Sequence, residues 1–320
     1  MARALARGVS ASGLALAADV ARRFHLEGRT KVDIAEDLGI SRFKVARLLA
    51  AAQEAGLVQI RVLVPPSLDG ELGEVLRARF GLRAAYVLRA EGESVPAQRR
   101  VVAQFTAGLL EETVLPEDVV GLAWGRTVSA LVSALSAPLR SRFVQLAGAL
   151  PRPDVEGSAV DLVRRAAEAT ASTAATFYAP LAVPEAATAD SLRCQPEIAR
   201  ALAELDTLTR AVVSIGAWLP GESTALDSLD AGTGERLTRA GVVAEITGVL
   251  LGADGAEVPG LADRVVGVTG EQLRRTGEVV AMSTGAAGVR APATTAVLRS
   301  GLVSTLVTHA ELAREVLRLA

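Results

Sequence analysis

The side chains best placed to do chemistry lie between residues 40 and 47, which read ISRFKVAR. Arg42, Lys44 and Arg47 fall within one short stretch behind Ser41, with Phe43 among them. Cationic donors at this density suit a polyanion. Lysine neutralises a phosphate as a point charge, whereas arginine can also offer two parallel donors to guanine O6 and N7. An aromatic ring beside them can touch a thymine methyl, and a serine at a helix start can share a phosphate with the free N–H groups behind it. Other chemistries are largely closed to the chain. Two histidines, His25 and His309, and one cysteine, Cys194, leave too few ligands for a transition-metal site or a histidine triad, and no internal disulfide can form. Both lysines, Lys31 and Lys44, precede residue 66, so the rest of the chain has no amine for a Schiff base. No metal and no cofactor is expected.

A basic cluster reads DNA only if something holds it in a groove, and KVDIAEDLGISRFKVARLLA (31–50) has the required pattern. Ala35 is small where two helices must approach, and four positions later Gly39 tolerates the positive φ of a tight turn. Ile34, Leu38 and Ile40 bury the first helix and the turn. Val45, Leu48, Leu49 and Ala52 recur at helical spacing and form the inward stripe of the second. Phe43, Ala46 and Arg47 then face outward, with Arg42 and Lys44 on the flanks. This is a helix-turn-helix with a recognition helix capped by Ser41 and running to about Ala55. Thr30 caps the helix before it. A further helix over 14–29 supplies Leu16, Val20, Phe24 and Leu26, and LVQIRVLVP (57–65) reads as a short strand ended by Pro65-Pro66.

Charge and pattern both change after this point. Residues 1–65 hold ten Lys/Arg against six Asp/Glu, whereas the remainder holds 24 against 30, so a basic head precedes an acidic body. At 320 residues two domains are expected, a DNA-binding domain over 1–65 and a larger domain over 66–320. With 50% hydrophobic but only 3% aromatic residues, the larger core must consist mainly of Ala, Val and Leu. Apolar runs at 84–88, 119–124, 143–148, 210–216, 264–268, 278–285 and 302–308 alternate with helical stretches at 69–80, 97–112, 126–136, 158–170, 195–207, 232–240, 290–300 and 309–319. Near-continuous apolar strands separated by helices predict a parallel α/β sheet covered on both faces, a Rossmann-like arrangement. No run is long enough to span a bilayer, and the lone cysteine fits a reducing cytoplasm. Cys194 reads as a buried or half-buried thiol, His309 as a surface residue at a helix start, and Arg274-Arg275 as a solvated helix end.

The motifs and their order resemble the SorC family of bacterial sugar-responsive transcriptional regulators. GRTKVDIAEDLGISRFKVARLLAAAQEAGLVQIRV is followed by LGEVLRARFGLRAAYVL, VVGLAWGRTVSAL, FVQLAGALPRP, AEITGVLLGADG, DRVVGVTGEQLRRTGEVVAMSTG and TAVLRSGLVSTLVTHAELAREVL. The resemblance implies a C-terminal effector domain similar to sugar-phosphate isomerases, usually oligomeric, that binds a phosphorylated sugar and changes affinity for double-stranded operator DNA. A homodimer or homotetramer is therefore expected. It also places Gly125, Arg126 and Thr127 in a phosphate-holding loop, with Glu245 facing the sugar and Arg290 where a lysine commonly reaches the ligand. A glycine lets backbone approach oxygens, while a hydroxyl and a guanidinium add donors. Ala147, Ala149, Val160 and Gly252 depart from the family's usual residues, as do Phe43 and Lys44 in the recognition helix. These departures thin the polar lining of the pocket, so a less polar or weakly bound effector is expected.

Two other readings stand beside the regulator. One is a sugar-phosphate isomerase-like enzyme with an accessory N-terminal domain. Glu245 is its candidate base, but no His or Lys adjoins it. The other is a ligand-free architectural DNA binder, which leaves a large α/β domain without a purpose. Trp124 and Trp218, each near glycines, are candidates for stacking on a sugar ring or for plugging the core.

Overall fold

The structure, a computed structural model, describes residues 11–58, 67–90, 92–150 and 158–320. The chain divides into two compact units, Met1–Pro65 and Pro66–Ala320.

The first unit contains α1 (Ala11–His25), α2 (Lys31–Asp37) and α3 (Arg42–Glu54). Thr30 and Asp33 cap α2 reciprocally, each side chain taking the other's backbone N–H. Gly39 then turns the chain at φ +61°, and Ser41 accepts from the Lys44 N–H to start α3. Val20, Ile34, Val45 and Ala52 are fully buried together, with Leu48, Leu38 and Ile40 half-buried around them. The first helix is shorter than the sequence suggested. It ends at His25, and Leu26, expected to face inward, is 82% exposed. Gly28, at φ +67°, reverses the chain before another turn can form. Most of the strand expected over 57–65 lies outside the described residues.

The second unit is built on a seven-stranded sheet in which all paired strands are parallel. In chain order its strands are β1 (Ala84–Leu88), β2 (Val119–Leu122), β3 (Arg142–Gln145), β4 (Thr173–Ala175), β5 (Arg210–Ser214), β9 (Glu278–Met282) and β10 (Thr305–His309), arranged β1-β10-β9-β5-β2-β3-β4. The remaining three, β6 (Gly216–Ala217), β7 (Val242–Ile246) and β8 (Val249–Gly252), form a separate antiparallel sheet that the sequence did not disclose. The run at 264–268 is not a strand of either sheet. It makes only isolated bridges, Val265 to Ala182 and Gly267 to Ala147.

The helices that matter for the site are α5 (Val95–Thr113), after α4 (Gly70–Phe80), then α6 (Arg126–Val132) and α13 (Ala287–Arg299). The expected helix over 126–136 is thus cut to seven residues. Leucine, valine and alanine make up nearly all of the main core, with Phe143 its one fully buried aromatic residue. The chain runs outward from β2 through β3 to β4, then returns to β5 and runs the other way through β9 to β10. The loops leaving β2 and β5 therefore diverge above the sheet and open a crevice at the carboxyl ends of the strands.

Candidate functional site

In the first unit, Ser41, Arg42, Phe43, Lys44 and Arg47 are all solvent-exposed along the start of α3. Phe43, Lys44 and Arg47 stand one or two positions from buried Val45 and Leu49 and so cannot share their face, whereas Ser41 and Arg42 are exposed at the open end of the helix as its cap and first residue. Phe43 is 75% exposed and lies under the Arg42 guanidinium, 5.5 Å from ring centroid to Cζ. The arginine shields one ring face and is itself steered along the exposed side of the helix.

In the second unit, Gly125, Arg126, Thr127, Glu245 and Arg290 line one cleft at the switch between β2 and β5, although they lie far apart in sequence. Gly125 follows β2 with φ +116°, and a Cβ there would stand 2.9 Å from Ser214 Oγ on β5, so the two loops meet where only glycine fits. Thr127 Oγ1 lies 3.3 Å from Thr284 Oγ1 beyond β9. Glu245 sits opposite Gly216 across the small sheet, and a Cβ on Gly216 would come within 2.4 Å of its Oε1. The carboxyl is buried with two long contacts, a Gly248 N–H at 3.4 Å and the Ser223 hydroxyl at 3.5 Å. Burial pushes its pKa up to about 7, so both protonation states are populated near neutrality.

Arg290, in the first turn of α13, donates from Nη1 to the Ile215 carbonyl at 2.8 Å and from Nη2 to Glu222 at 2.5 Å. Its Nε is buried without a partner among the described residues. Arg126 Nη2 donates to the Gly221 carbonyl at 3.1 Å. Two charged residues that the sequence reading missed complete the lining. Arg99, from the second turn of α5, has a buried Nε without a partner among the described residues, and Glu222 stands on the loop after Trp218. Burial, together with the positive charges of Arg126 and Arg290, lowers the pKa of Arg99. Burial also lowers that of Arg290, against the opposing pull of Glu222. No local pattern marks either residue, since each joins the site only through the crossover connections.

The structure selects one of the two readings of each tryptophan and changes the expected placement of His309 and Cys194. Trp124 and Trp218 are both buried, their indole N–H groups donating to Thr224 Oγ1 at 2.7 Å and Thr238 Oγ1 at 3.0 Å, so they are core residues beside the cleft and not stacking platforms within it. His309 begins the last helix as expected but is fully buried. Its Nε2 lies 3.2 Å from the Gly285 carbonyl, Nδ1 has no partner, and burial lowers its pKa. Its strand ends inside the sheet, which no surface reading allows. Cys194 is exposed rather than buried, because it caps a helix at the turn before Pro196. Arg274 and Arg275 do close a helix, pairing with Glu257 at 2.6 Å and with Asp206 at 3.7 Å. Ala147 and Val160 are buried away from the cleft lining, and residues 151–157 lie outside the described residues. Among the described residues no helix is long and apolar enough to cross a membrane.

A helix-turn-helix unit followed by a parallel α/β unit with a charged cleft at its switch point defines a class: transcriptional regulators that carry a small-molecule domain. Residues 65–318 match the family model described as "Putative sugar-binding domain". The chain is 31% identical over 325 residues to the transcriptional regulator LsrR of Klebsiella pneumoniae, covering 97% of this chain and 96% of that one. It is 32% identical over 125 residues to the sorbitol operon regulator of Klebsiella pneumoniae, covering 39% and 40% of the two chains. The full-length crystal structure of the sorbitol operon regulator SorC from Klebsiella pneumoniae shares the fold at 22% identity, with a TM-score of 0.75 over 95% of this chain and 98% of that one. The chain belongs to the sugar-binding domain family and is a sugar-responsive transcriptional regulator of the SorC type.

Proposed function

We propose that the cleft binds a phosphorylated sugar or polyol and that binding changes the affinity of α3 for operator DNA. The observation that carries this reading is the convergence of Arg99, Arg126 and Arg290 on one cleft with only Glu222 and Glu245 against them. Such an excess of guanidinium donors suits an oxyanion, and the first N–H groups of the helix that begins at Arg126 lack intrahelical acceptors. Glu245, poised between donor and acceptor, suits a sugar hydroxyl. At the other unit, Arg47 reads a base edge while Arg42 and Lys44 hold phosphates, with Ser41 and Phe43 at the flank of the contact. One recognition helix spans too few base pairs for selectivity, so the chain acts as a homodimer or homotetramer on repeated half-sites. The role is read as regulatory and not catalytic because the relatives that align with almost the whole chain are named transcriptional regulators.

The test is a panel of phosphorylated and unphosphorylated sugars and polyols, read by tryptophan emission and melting temperature and carried into the millimolar range. Phosphorylated members should bind, and Arg126→Ala should weaken them while leaving ligand-free DNA affinity unchanged. Binding by unphosphorylated members alone, or by none, would refute the assignment.

A further inference from the structure

The cleft as it stands has no room for its ligand. Its free volume is about 40 Å³, against the several hundred Å³ typical of a pocket that encloses a small organic molecule. One loop fills it. Leu219–Ser223 places the Glu222 carboxylate on Arg290 Nη2 at 2.5 Å and the Gly221 carbonyl on Arg126 Nη2 at 3.1 Å. The same five residues thus occupy two of the three arginines.

This occupation is incomplete and accessible. The Nε atoms of Arg99 and Arg290 are buried without partners among the described residues. A carboxylate has two oxygens, and those of Glu222 do not reach these donors, whereas a phosphate offers three terminal oxygens at wider angles. Glu222 is 38% exposed while Arg290 is 10% exposed, so the anion can leave toward solvent and the cation cannot follow. The tip of the loop is exposed, Leu219 by 47%, and is held by a Gly221 N–H bond to Asp227 at 3.0 Å, while Ser223 at its far end is fully buried and caps the next helix. The loop's two ends are anchored. Trp218 is buried and bonded to Thr238, and Thr224 receives the indole N–H of buried Trp124. Only the tip between these anchors has to move.

We propose that Glu222 is an internal counter-ion occupying the anion subsite, and that the effector's oxyanion enters by displacing it together with the loop tip Leu219–Glu222. This rests on the reading of the cleft as an oxyanion site. The exchange swaps one charge-assisted contact for another at Arg290, so the arginines are never left buried and uncompensated, a state that would be costly. It also gives the ligand unequal affinity for two states of the chain, loop in and loop out, which any ligand-driven switch requires.

Inorganic phosphate, titrated into the full-length protein, is the probe. Glu222→Gln keeps the shape of the side chain and removes its charge, and should bind phosphate about tenfold more tightly than the natural chain or better, with Glu222→Asp in between. In the natural chain, phosphate should also speed hydrogen exchange of the Gly221 and Glu222 amides, a readout that needs no variant to fold. Long-range repulsion alone would tighten binding in Glu222→Gln without moving the loop, so unchanged or slowed exchange overturns the proposal. Equal or weaker binding by Glu222→Gln overturns it too while leaving the oxyanion reading intact. Failure of phosphate to bind either protein overturns both.

Discussion

Replacing Glu245 with glutamine tests the electrostatics of the cleft without touching its shape. The carboxyl has no cation in direct contact, and Gly216 and Gly248 close around it. Its pKa accordingly rises from an ordinary value near 4.5 to about 7. At ~1.4 kcal/mol per tenfold, that displacement corresponds to about 3 kcal/mol between the two protonation states. The sign follows from proton counts. Between pH 4.5 and 7 the folded chain keeps the Glu245 proton and the unfolded chain has lost it, so stability falls as pH rises and levels off above about 7. Glutamine resembles the protonated acid and does not titrate. Near pH 4.5 the two proteins should therefore be almost equally stable, whereas by pH 8 Glu245→Gln should be the more stable by about 3 kcal/mol. His309 and the surface acids titrate in both proteins, so the difference between the two profiles isolates Glu245. Urea midpoints in phosphate-free buffer, followed by tryptophan emission, suit the measurement because Trp124 and Trp218, the only tryptophans, both lie in the unit that contains Glu245. Parallel profiles, or a gap that narrows with rising pH, would refute the burial argument.

The DNA-binding unit gives two further expectations. Arg47→Ala should cost roughly 1–3 kcal/mol on the specific operator and relax preference at one base position, whereas Lys44→Ala should weaken all sequences alike and reduce the slope of log affinity against log salt by about one. Electrophoretic or anisotropy titrations at several salt concentrations check both, and an Arg47→Ala protein with full operator affinity would contradict the assignment. Ile34 is fully buried between the helices of this unit, so Ile34→Ala should destabilise it by about 2–5 kcal/mol, seen as an earlier loss of helical circular dichroism.

What the sequence disclosed and what it withheld follow from the range of the interactions concerned. The helix-turn-helix was legible because its determinants are local: Thr30 with Asp33, small Ala35, Gly39 at φ +61° and Ser41 all act within a few residues. The parallel strand at 119–122 was legible because burial on both faces makes it nearly continuously apolar. The β7–β8 hairpin was not. Its turn places Thr247 at φ +51° and Gly248 at φ +90°, and a threonine seldom marks such a turn. Strand β4, with only Thr173–Ala175, is too short for any periodicity. The run at 264–268 is apolar because its three valines enter three different clusters, Val265 with Leu181 and Ala147, Val266 with Phe177 and Ile198, and Val268 in the main core, which a single sequence cannot tell from a strand. In the cleft, the resemblance supplied Arg126, Glu245 and Arg290, but Arg99 and Glu222 reach it only through the tertiary fold.

The central claim is that a ligand in the arginine cleft controls DNA affinity. The most direct measurement is operator affinity of the full-length protein, at fixed salt, with and without a saturating phosphorylated sugar from the binding panel, repeated with Arg290→Ala. A coupling of about 1–3 kcal/mol predicts a change in operator affinity of roughly five- to 150-fold in the natural protein, with no change in Arg290→Ala. A ligand that saturates the cleft and leaves operator affinity unchanged would contradict the account.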